Sequence, residues 1–157
     1  ARRKLEAANS LSTGDLGYND AAIFMFRNQA GELGDTGDRL AACPGSPNCV
    51  SSDATDDAHA AGPFQLIVSP QDGWRAVRTA LVTLPRTKII SSTDDYLHAE
   101  CTSAVFGFVD DLELHLRPAE KLIAVRSASR LGHSDFGVNR KRVEALRVLL
   151  RERGIIQ

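Results

Sequence analysis

The sequence predicts an α+β domain in which a single curved antiparallel sheet of about five strands packs against two amphipathic helices, preceded by an extended N-terminal arm. Two segments place apolar residues at helical spacing, four segments with strand character lie between them, and residues 1–42 show little periodicity. The chain has 157 residues, 43% hydrophobic and 25% charged, which is typical of one globular domain. We therefore divide it into an arm, residues 1–42, and a domain, residues 43–157.

The arm is rich in glycine and carries one apolar patch, formed by Ile23, Phe24, Met25 and Phe26. A segment with so few apolar residues cannot build a core of its own. An exposed apolar patch is usually covered, either by the same domain or by a partner. We therefore predict that the arm is a contact segment.

A strand and a helix begin the domain. The apolar run 64–68 predicts a first strand, and Ser69 followed by Pro70 predicts a helix start, with a capping side chain before proline at the first helical position. Pro85 ends this helix. Its apolar face is formed by Trp74, Val77, Leu81 and Leu84.

Four further strands are predicted at residues 88–92, 96–103, 106–116 and 122–129. In the third of these, Phe106, Phe108 and three leucines fall on one face, whereas Asp111, Glu113 and His115 fall on the other. Such alternation is typical of a strand with one buried and one solvated face. The short turns between the segments favour antiparallel hairpins.

The last predicted element is a helix over residues 138–153. Its apolar stripe consists of Val143, Leu146, Leu149 and Leu150. Gly154 stands where a helix commonly ends in a left-handed residue.

The densest group of polar side chains runs from the last strand into this helix, together with two aspartates of the neighbouring strand. Its members are Asp110, Asp111, Arg126, Ser127, Ser129, Arg130, Asp135, Asn139 and Arg140. A Gly- and Ser-containing loop before a helix N-terminus can bind an anion, and nearby arginines would strengthen that site. Alternatively, Arg126 and Arg130 pair with acids on the adjacent strand and fix its register. The second interpretation is favoured, because the loop matches no phosphate-binding motif.

Asp110 breaks the alternation of its strand. It is predicted to point to the same side as Phe108 and Leu112, where a carboxylate is costly unless it is paired or hydrogen-bonded. It could act as an acid or base, or it could accept hydrogen bonds from turn amides or an arginine. We favour the structural role.

No catalytic residue, metal site or cofactor is predicted. Cys101 alternates with apolar neighbours as a core thiol does, no serine lies in a G-x-S-x-G elbow, and the histidines lack metal-ligand spacing, so we expect them at the surface or in turns. The net charge of −1 gives no reason to expect nucleic acid as a partner. No apolar stretch reaches the roughly 18 residues needed to span a bilayer.

Cys43 and Cys49 enclose a run of turn-forming residues, and a disulfide between them is expected in an oxidising compartment. Free thiols and a metal site remain open alternatives, although C-x5-C is not a usual zinc spacing. The sequence begins at Ala1, which agrees with removal of a targeting segment or with an arbitrary start.

Three separated motifs, at residues 43–52, 107–111 and 126–142, resemble the family of unknown function numbered 1499. The resemblance covers about residues 40 to 153 and excludes the arm. Members of that family occur in bacteria, often with membrane-anchoring or export segments, and in plastid-bearing eukaryotes. The resemblance thus implies an extracytoplasmic or organellar location, with the thylakoid lumen as one hypothesis, and no established activity.

Two functions follow as hypotheses. In the first, the domain is a non-catalytic accessory subunit that docks through its arm on protein subunits of a larger membrane-associated complex, for example a photosystem on its lumenal side. In the second, it binds a small anionic or lipid-like ligand, or acts as an enzyme, through Asp110, Asp111, Arg126 and Arg130. We favour the first, because the sequence contains no catalytic constellation.

Overall fold

A computed structural model describes residues 33–34 and 37–157. In this part of the chain, one antiparallel sheet of six strands is accompanied by two α-helices, which confirms the predicted α+β class. The apolar patch at residues 23–26 lies outside the described residues, as does most of the arm.

The elements follow the chain in the order β1, β2, α1, β3, β4, β5, a short 3-10 helix, β6 and α2. Their bounds are β1 Cys49–Ser51, β2 Phe64–Gln65, α1 Pro70–Leu81, β3 Thr87–Ser92, β4 Tyr96–Thr102, β5 Val109–Arg117, the 3-10 helix Pro118–Glu120, β6 Leu122–Ser129 and α2 Val138–Glu152. The sheet order is β1-β6-β5-β4-β3, and β2 pairs with β6 as well. The two short strands β1 and β2 thus share the outer edge of β6, at opposite ends of that strand.

Both helices lie on one face of the sheet and bury an apolar core there. The Ser69 side chain caps α1 by accepting a hydrogen bond from the backbone N–H of Asp72 at 3.1 Å. Gly73 allows a close approach, because a Cβ at this position would lie 2.5 Å from a methyl carbon of Leu66. The largest fully buried apolar side chains of this core are Phe64, Leu81, Leu97, Leu112, Leu114, Ile123, Leu146 and Leu150.

The structure departs from the predicted strands in three places. It adds β1, which the sequence does not predict, and the first predicted strand shrinks to the two residues of β2. In addition, β5 begins at Val109, so the prediction that Phe106 and Phe108 belong to a strand facing the core is wrong. Both phenylalanines are exposed in the loop between β4 and β5.

The sheet face opposite the helices is also buried, which corrects the prediction that it is solvated. Asp111, Glu113 and His115 of β5 are all buried, and so is His98 of β4, although the histidines are predicted at the surface or in turns. The backbone of Gly34 contributes to this cover by donating a hydrogen bond to Glu113 at 2.7 Å. Alternation of polar and apolar residues predicts which face a side chain occupies but not what covers that face.

Candidate functional site

The structure divides the predicted polar group between the two faces of the sheet. Asp110 pairs in register with Ser129, and Asp111 pairs with Ala128. Because successive strand residues point to opposite faces, Asp110 lies on the helix face and Asp111 on the other. The four residues proposed to form one ligand site, Asp110, Asp111, Arg126 and Arg130, therefore do not meet in a single site.

On the helix face, Asn139 of α2 lies at the centre of a hydrogen-bond network, which we call the Asn139 cluster: Asn48, Asp110, Ser127, Ser129, Asp135, Asn139 and Arg142. Asn139 is fully buried. Its Oδ1 accepts hydrogen bonds from Ser127 Oγ at 2.6 Å and from Arg142 Nη1 at 2.7 Å. Its Nδ2 donates to Ser129 Oγ and to Asp135 Oδ2, both at 2.8 Å. This single amide thus connects β6, α2 and the loop between them.

Asp110 is held within this cluster as a structural acceptor. Arg142 Nη2 donates to Asp110 Oδ2 at 2.6 Å. Burial of the aspartate side chain is therefore accompanied by a salt bridge, as buried charges require. Its cation comes from α2 rather than from Arg126 or Arg130 on the neighbouring strand.

The loop between Cys43 and Cys49 joins the same cluster. The two cysteines form a disulfide, which confirms the prediction and rules out free thiols and a metal at these residues. Within the closed loop, Asn48 Nδ2 donates to the carbonyl of Gly132 at 2.6 Å, and the carbonyl of Asn48 accepts from Asn139 Nδ2 at 3.1 Å. The disulfide loop thus holds the loop between β6 and α2.

Asp135 occupies the N-terminus of α2. Its carboxylate accepts hydrogen bonds from the backbone N–H of Gly137 at 2.9 Å and of Asn139 at 2.8 Å. Burial favours the neutral acid, but these backbone hydrogen bonds outweigh that effect and hold the pKa of Asp135 below its usual range. The chain's own carboxylate therefore fills the position that the anion-site hypothesis assigns to a ligand.

On the opposite face, polar and charged side chains form two hydrogen-bonded groups, which we together call the buried ion-pair network. One group contains Tyr96, Glu113 and Arg126, and the other contains His98, Glu100, Asp111 and Arg130. Glu113, 0% exposed, pairs with Arg126, 3% exposed, at 2.8 Å. Tyr96 also donates its hydroxyl to Glu113 at 2.7 Å, and burial together with that hydrogen bond raises the pKa of the phenol well above its usual range. The Tyr96 hydroxyl therefore stays protonated at neutral pH and donates its hydrogen bond to Glu113.

Arg130 links two acids of this network. Its Nε donates to Asp111 Oδ2 at 2.8 Å, and its Nη2 contacts Glu100 Oε1 at 2.8 Å. His98 Nε2 lies 2.7 Å from the other oxygen of Asp111. The favoured interpretation, in which Arg126 and Arg130 pair with acids on neighbouring strands, is therefore correct for Glu113 and Asp111.

An apolar groove lies beside the Asn139 cluster, between the β4–β5 loop and the β6–α2 loop. It has a volume of about 350 Å³. Its lining includes Ala104, Val105, Phe106, Phe108, Leu131, Phe136 and Val138, with Asp110, Ser129 and Asp135 among the polar members. Phe136 is 89% exposed and Phe106 is 75% exposed, so the apolar lining continues onto the surface.

Phe136, at the tip of the β6–α2 loop, has a left-handed backbone conformation with a φ of 53°. A bulky residue with positive φ is an outlier that costs on the order of 1–3 kcal/mol and persists only where its surroundings fix it. The Asp135 carboxylate fixes it here, because it accepts a hydrogen bond from the residue that follows, Gly137. The β6–α2 loop therefore holds the Phe136 ring at the surface.

The three motifs fall within the range matched by a single family model. The model of the family described as a protein of unknown function, DUF1499, matches residues 39–150, a range that contains all three motifs. The chain belongs to the DUF1499 family. No curated protein matches it, and no solved structure does.

The motifs of this DUF1499 chain are far apart in sequence but meet in the structure. Asn48 comes from the first motif, Asp110 from the second, and Ser127, Asn139 and Arg142 from the third. All five belong to the Asn139 cluster. Residues from all three motifs therefore meet beside the apolar groove.

The remaining residues of this DUF1499 domain that could carry chemistry are buried or bound to the backbone. Cys101 is buried, and burial raises the pKa of its thiol, so the thiolate that would react is disfavoured. Arg140 lies apart from the cluster and donates to the backbone carbonyls of Ala58 and Ala60. Among the described residues, no three His, Cys, Asp or Glu side chains are grouped so as to hold a metal, and no helix is long and apolar enough to cross a bilayer.

Sequence reasoning misses the groove. Alternation assigns Phe106 and Phe108 to a strand because they continue the pattern of β5, yet Gly107 between them has a φ of 65° and ends that alternation. Phe136 precedes Gly137 and follows an aspartate, which is a turn pattern. Glycine next to each aromatic residue is the signal in the sequence that could have revealed the two loops.

Proposed function

We propose that this chain is a non-catalytic interaction subunit that docks on a larger, membrane-associated protein complex. The observation that carries the proposal is the pair of adjacent loops whose aromatic and aliphatic side chains are exposed around the groove. Contiguous exposed apolar patches mark binding surfaces, because water contact makes them unfavourable on a free protein. Aromatic residues are also the residue type enriched at such interfaces.

The polar clusters support a non-catalytic role. Asp110 is engaged by Arg142, Asp111 by Arg130, and Glu113 by Arg126. A general acid or base must reach a substrate proton, and an acid already paired with an arginine is poorly suited to that task. The ion pairs that these acids form connect neighbouring strands, and one of them connects a strand to α2, so a structural role accounts for them.

The cellular setting that we propose is an oxidising compartment next to a membrane. The Cys43–Cys49 disulfide supports it, since such bonds persist outside reducing cytosol. The lumenal side of a thylakoid photosystem is the specific host that we favour, in line with the occurrence of the family in plastid-bearing eukaryotes. The apolar patch of the arm, residues 23–26, would add a second contact.

Affinity purification of the tagged full-length chain from detergent-solubilised membranes of its source organism tests this proposal. The groove variant combines Phe106→Ser with Phe136→Ser. A matched control combines Val82→Ser with Val148→Ser, which removes two exposed apolar side chains outside the groove lining. A third form lacks residues 1–32, so that the contacts of Gly34 and Leu40 remain.

We expect the wild type and the control to co-migrate with the same complex at fixed stoichiometry on native gels. The groove variant should lose most of that association, and the form without residues 1–32 should lose part of it. Unchanged association of both the groove variant and the truncated form would contradict the proposal.

A further inference from the structure

We infer that the groove binds an apolar peptide segment of a partner protein that carries Lys or Arg beside its apolar residues. This inference rests on the proposed function and deepens it by assigning the chemistry of the partner. Three features of the groove support it: its shape, its charge and the rigidity of its rim.

The groove suits apolar side chains rather than a large cofactor. Its volume of about 350 Å³ is at the small end of the range for ligand pockets. Phe106 and Phe108 are stacked, with ring centroids 5.5 Å apart, and Phe136 belongs to the facing loop. Aromatic and aliphatic anchors that fill such a pocket supply most of the free energy of a typical protein interface.

Among the residues that the structure describes, two charged side chains line the groove, and both are acids. Asp110 is balanced by its salt bridge with Arg142. Asp135 receives hydrogen bonds from backbone amides and from the Asn139 side chain, all of which are uncharged donors. Among the described residues, no lysine or arginine lines the groove. The groove therefore carries the negative charge of Asp135.

This charge selects among apolar occupants. An anionic lipid headgroup or a fatty-acid carboxylate would be repelled by Asp135 and would find no cation among the described lining residues. A peptide with a basic side chain beside its apolar anchors gains attraction at the same position. Charge complementarity thus favours a protein segment over an anionic membrane surface.

The rim is organised before binding. Asn139 and Asn48 hold the β6–α2 loop from beneath, and the Asp135 turn fixes the left-handed conformation of Phe136. A rigid aromatic rim loses less conformational entropy on binding than a mobile one. The unfavourable backbone conformation of Phe136 supports a binding role, because such outliers cluster at ligand-binding and active sites.

A random dodecapeptide library displayed on phage tests the inference while the partner is still unidentified. The library is selected on the immobilised wild-type chain and depleted on the Phe106→Ser/Phe136→Ser variant. We expect enriched peptides to combine aliphatic or aromatic residues with net positive charge. For one enriched peptide, replacing Lys or Arg by Gln should weaken binding by about fivefold, and Asp135→Asn should remove that difference.

Several results would overturn the inference. These are enrichment of acidic peptides, equal binding of enriched peptides to the groove variant, and failure to enrich any peptide over that variant. Sedimentation with neutral and with anionic phospholipid vesicles forms a second arm, in which we expect no groove-dependent binding. Vesicle binding that requires Phe106 and Phe136 would assign the surface to membranes instead.

The two proposals can fail separately. Basic apolar peptides that bind the groove, with unchanged complex association of the groove variant, would leave the peptide site intact and refute the subunit role. Loss of complex association in the groove variant, together with selection of acidic peptides, would support the subunit role and refute the charge preference.

Discussion

The sheet face opposite the helices and the two loops of the groove place polar and apolar side chains in contrasting surroundings. On the sheet face, Glu113 and Arg126 are buried as an ion pair, whereas Phe106 and Phe136 are exposed in the loops. Buried ion pairs contribute little net stability but are costly to break, and exposed aromatic rings contribute little to folding. From this comparison we propose that the charges stabilise the fold and that the phenylalanines bind a partner.

The largest expected effect comes from breaking the buried ion-pair network. Glu113→Gln leaves the Arg126 guanidinium buried without its carboxylate, and we expect the free energy of unfolding to fall by about 3–5 kcal/mol. Equilibrium urea denaturation measures the change. The double variant Glu113→Gln/Arg126→Met should be more stable than the single variant. A loss below about 1 kcal/mol in the single variant would show that the pair is not structurally important.

A second prediction concerns the Asn139 cluster. Asn139→Ala removes the amide that connects Ser127, Ser129 and Arg142, and it leaves buried polar groups unsatisfied. We expect a loss of about 2–3 kcal/mol in urea denaturation. Lys141→Ala, an exposed change on the same helix, should stay within about 0.5 kcal/mol of the wild type. Similar losses in both variants would contradict the assigned role of Asn139.

The disulfide is expected to have a smaller effect. Removing it with Cys43→Ser/Cys49→Ser should lower the free energy of unfolding by about 2 kcal/mol, because a short loop is closed in the unfolded chain. Reduction of the wild type should produce the same loss, and the double variant should be insensitive to the reductant. If reductant also destabilised the double variant, the loss of stability in the wild type could not be assigned to the Cys43–Cys49 disulfide.

The pH dependence of stability tests Asp111 of the buried ion-pair network. Burial favours the neutral form of Asp111, but hydrogen bonds from Arg130 and His98 hold its pKa below the usual range. A lowered folded-state pKa stabilises the protein above the unfolded-state value, and this contribution is lost as the pH falls through the folded-state pKa. Urea midpoints should therefore decline below about pH 4. Asp111→Asn should flatten that decline, and an identical decline in the variant would contradict the assignment.

The smallest expected change is a gain at the groove. Phe136→Asn places a residue that tolerates positive φ in the left-handed position, so unfolding should require up to about 1 kcal/mol more free energy. Phe136→Ala removes the ring but keeps the unfavourable backbone and serves as the control. The Asn variant should be more stable than the Ala variant and should still bind the complex poorly. Equal stability of the two would show that the backbone conformation is not strained.

The contrast between the two regions also explains what the sequence could predict. The stripes at Trp74 and Val143 predict both helices, because a helix that covers a sheet must be apolar on one side. The sequence could predict that Arg126 and Arg130 pair with acids, because the acids lie on the neighbouring predicted strand. The sequence could not predict the burial of Glu113, because the residues that cover it, such as Gly34, are distant in sequence. The sequence misplaces Phe106 because alternation alone does not mark the end of a strand.

Site-specific photo-crosslinking in native membranes tests the central claim most directly. A photoreactive phenylalanine analogue is introduced at Phe106 or Phe136, and at Val82 or Val148 as exposed positions outside the groove. We expect the two groove positions to crosslink to one partner protein and the two control positions not to do so. Equal crosslinking from all four positions, or crosslinking from the groove to lipid alone, would contradict the account.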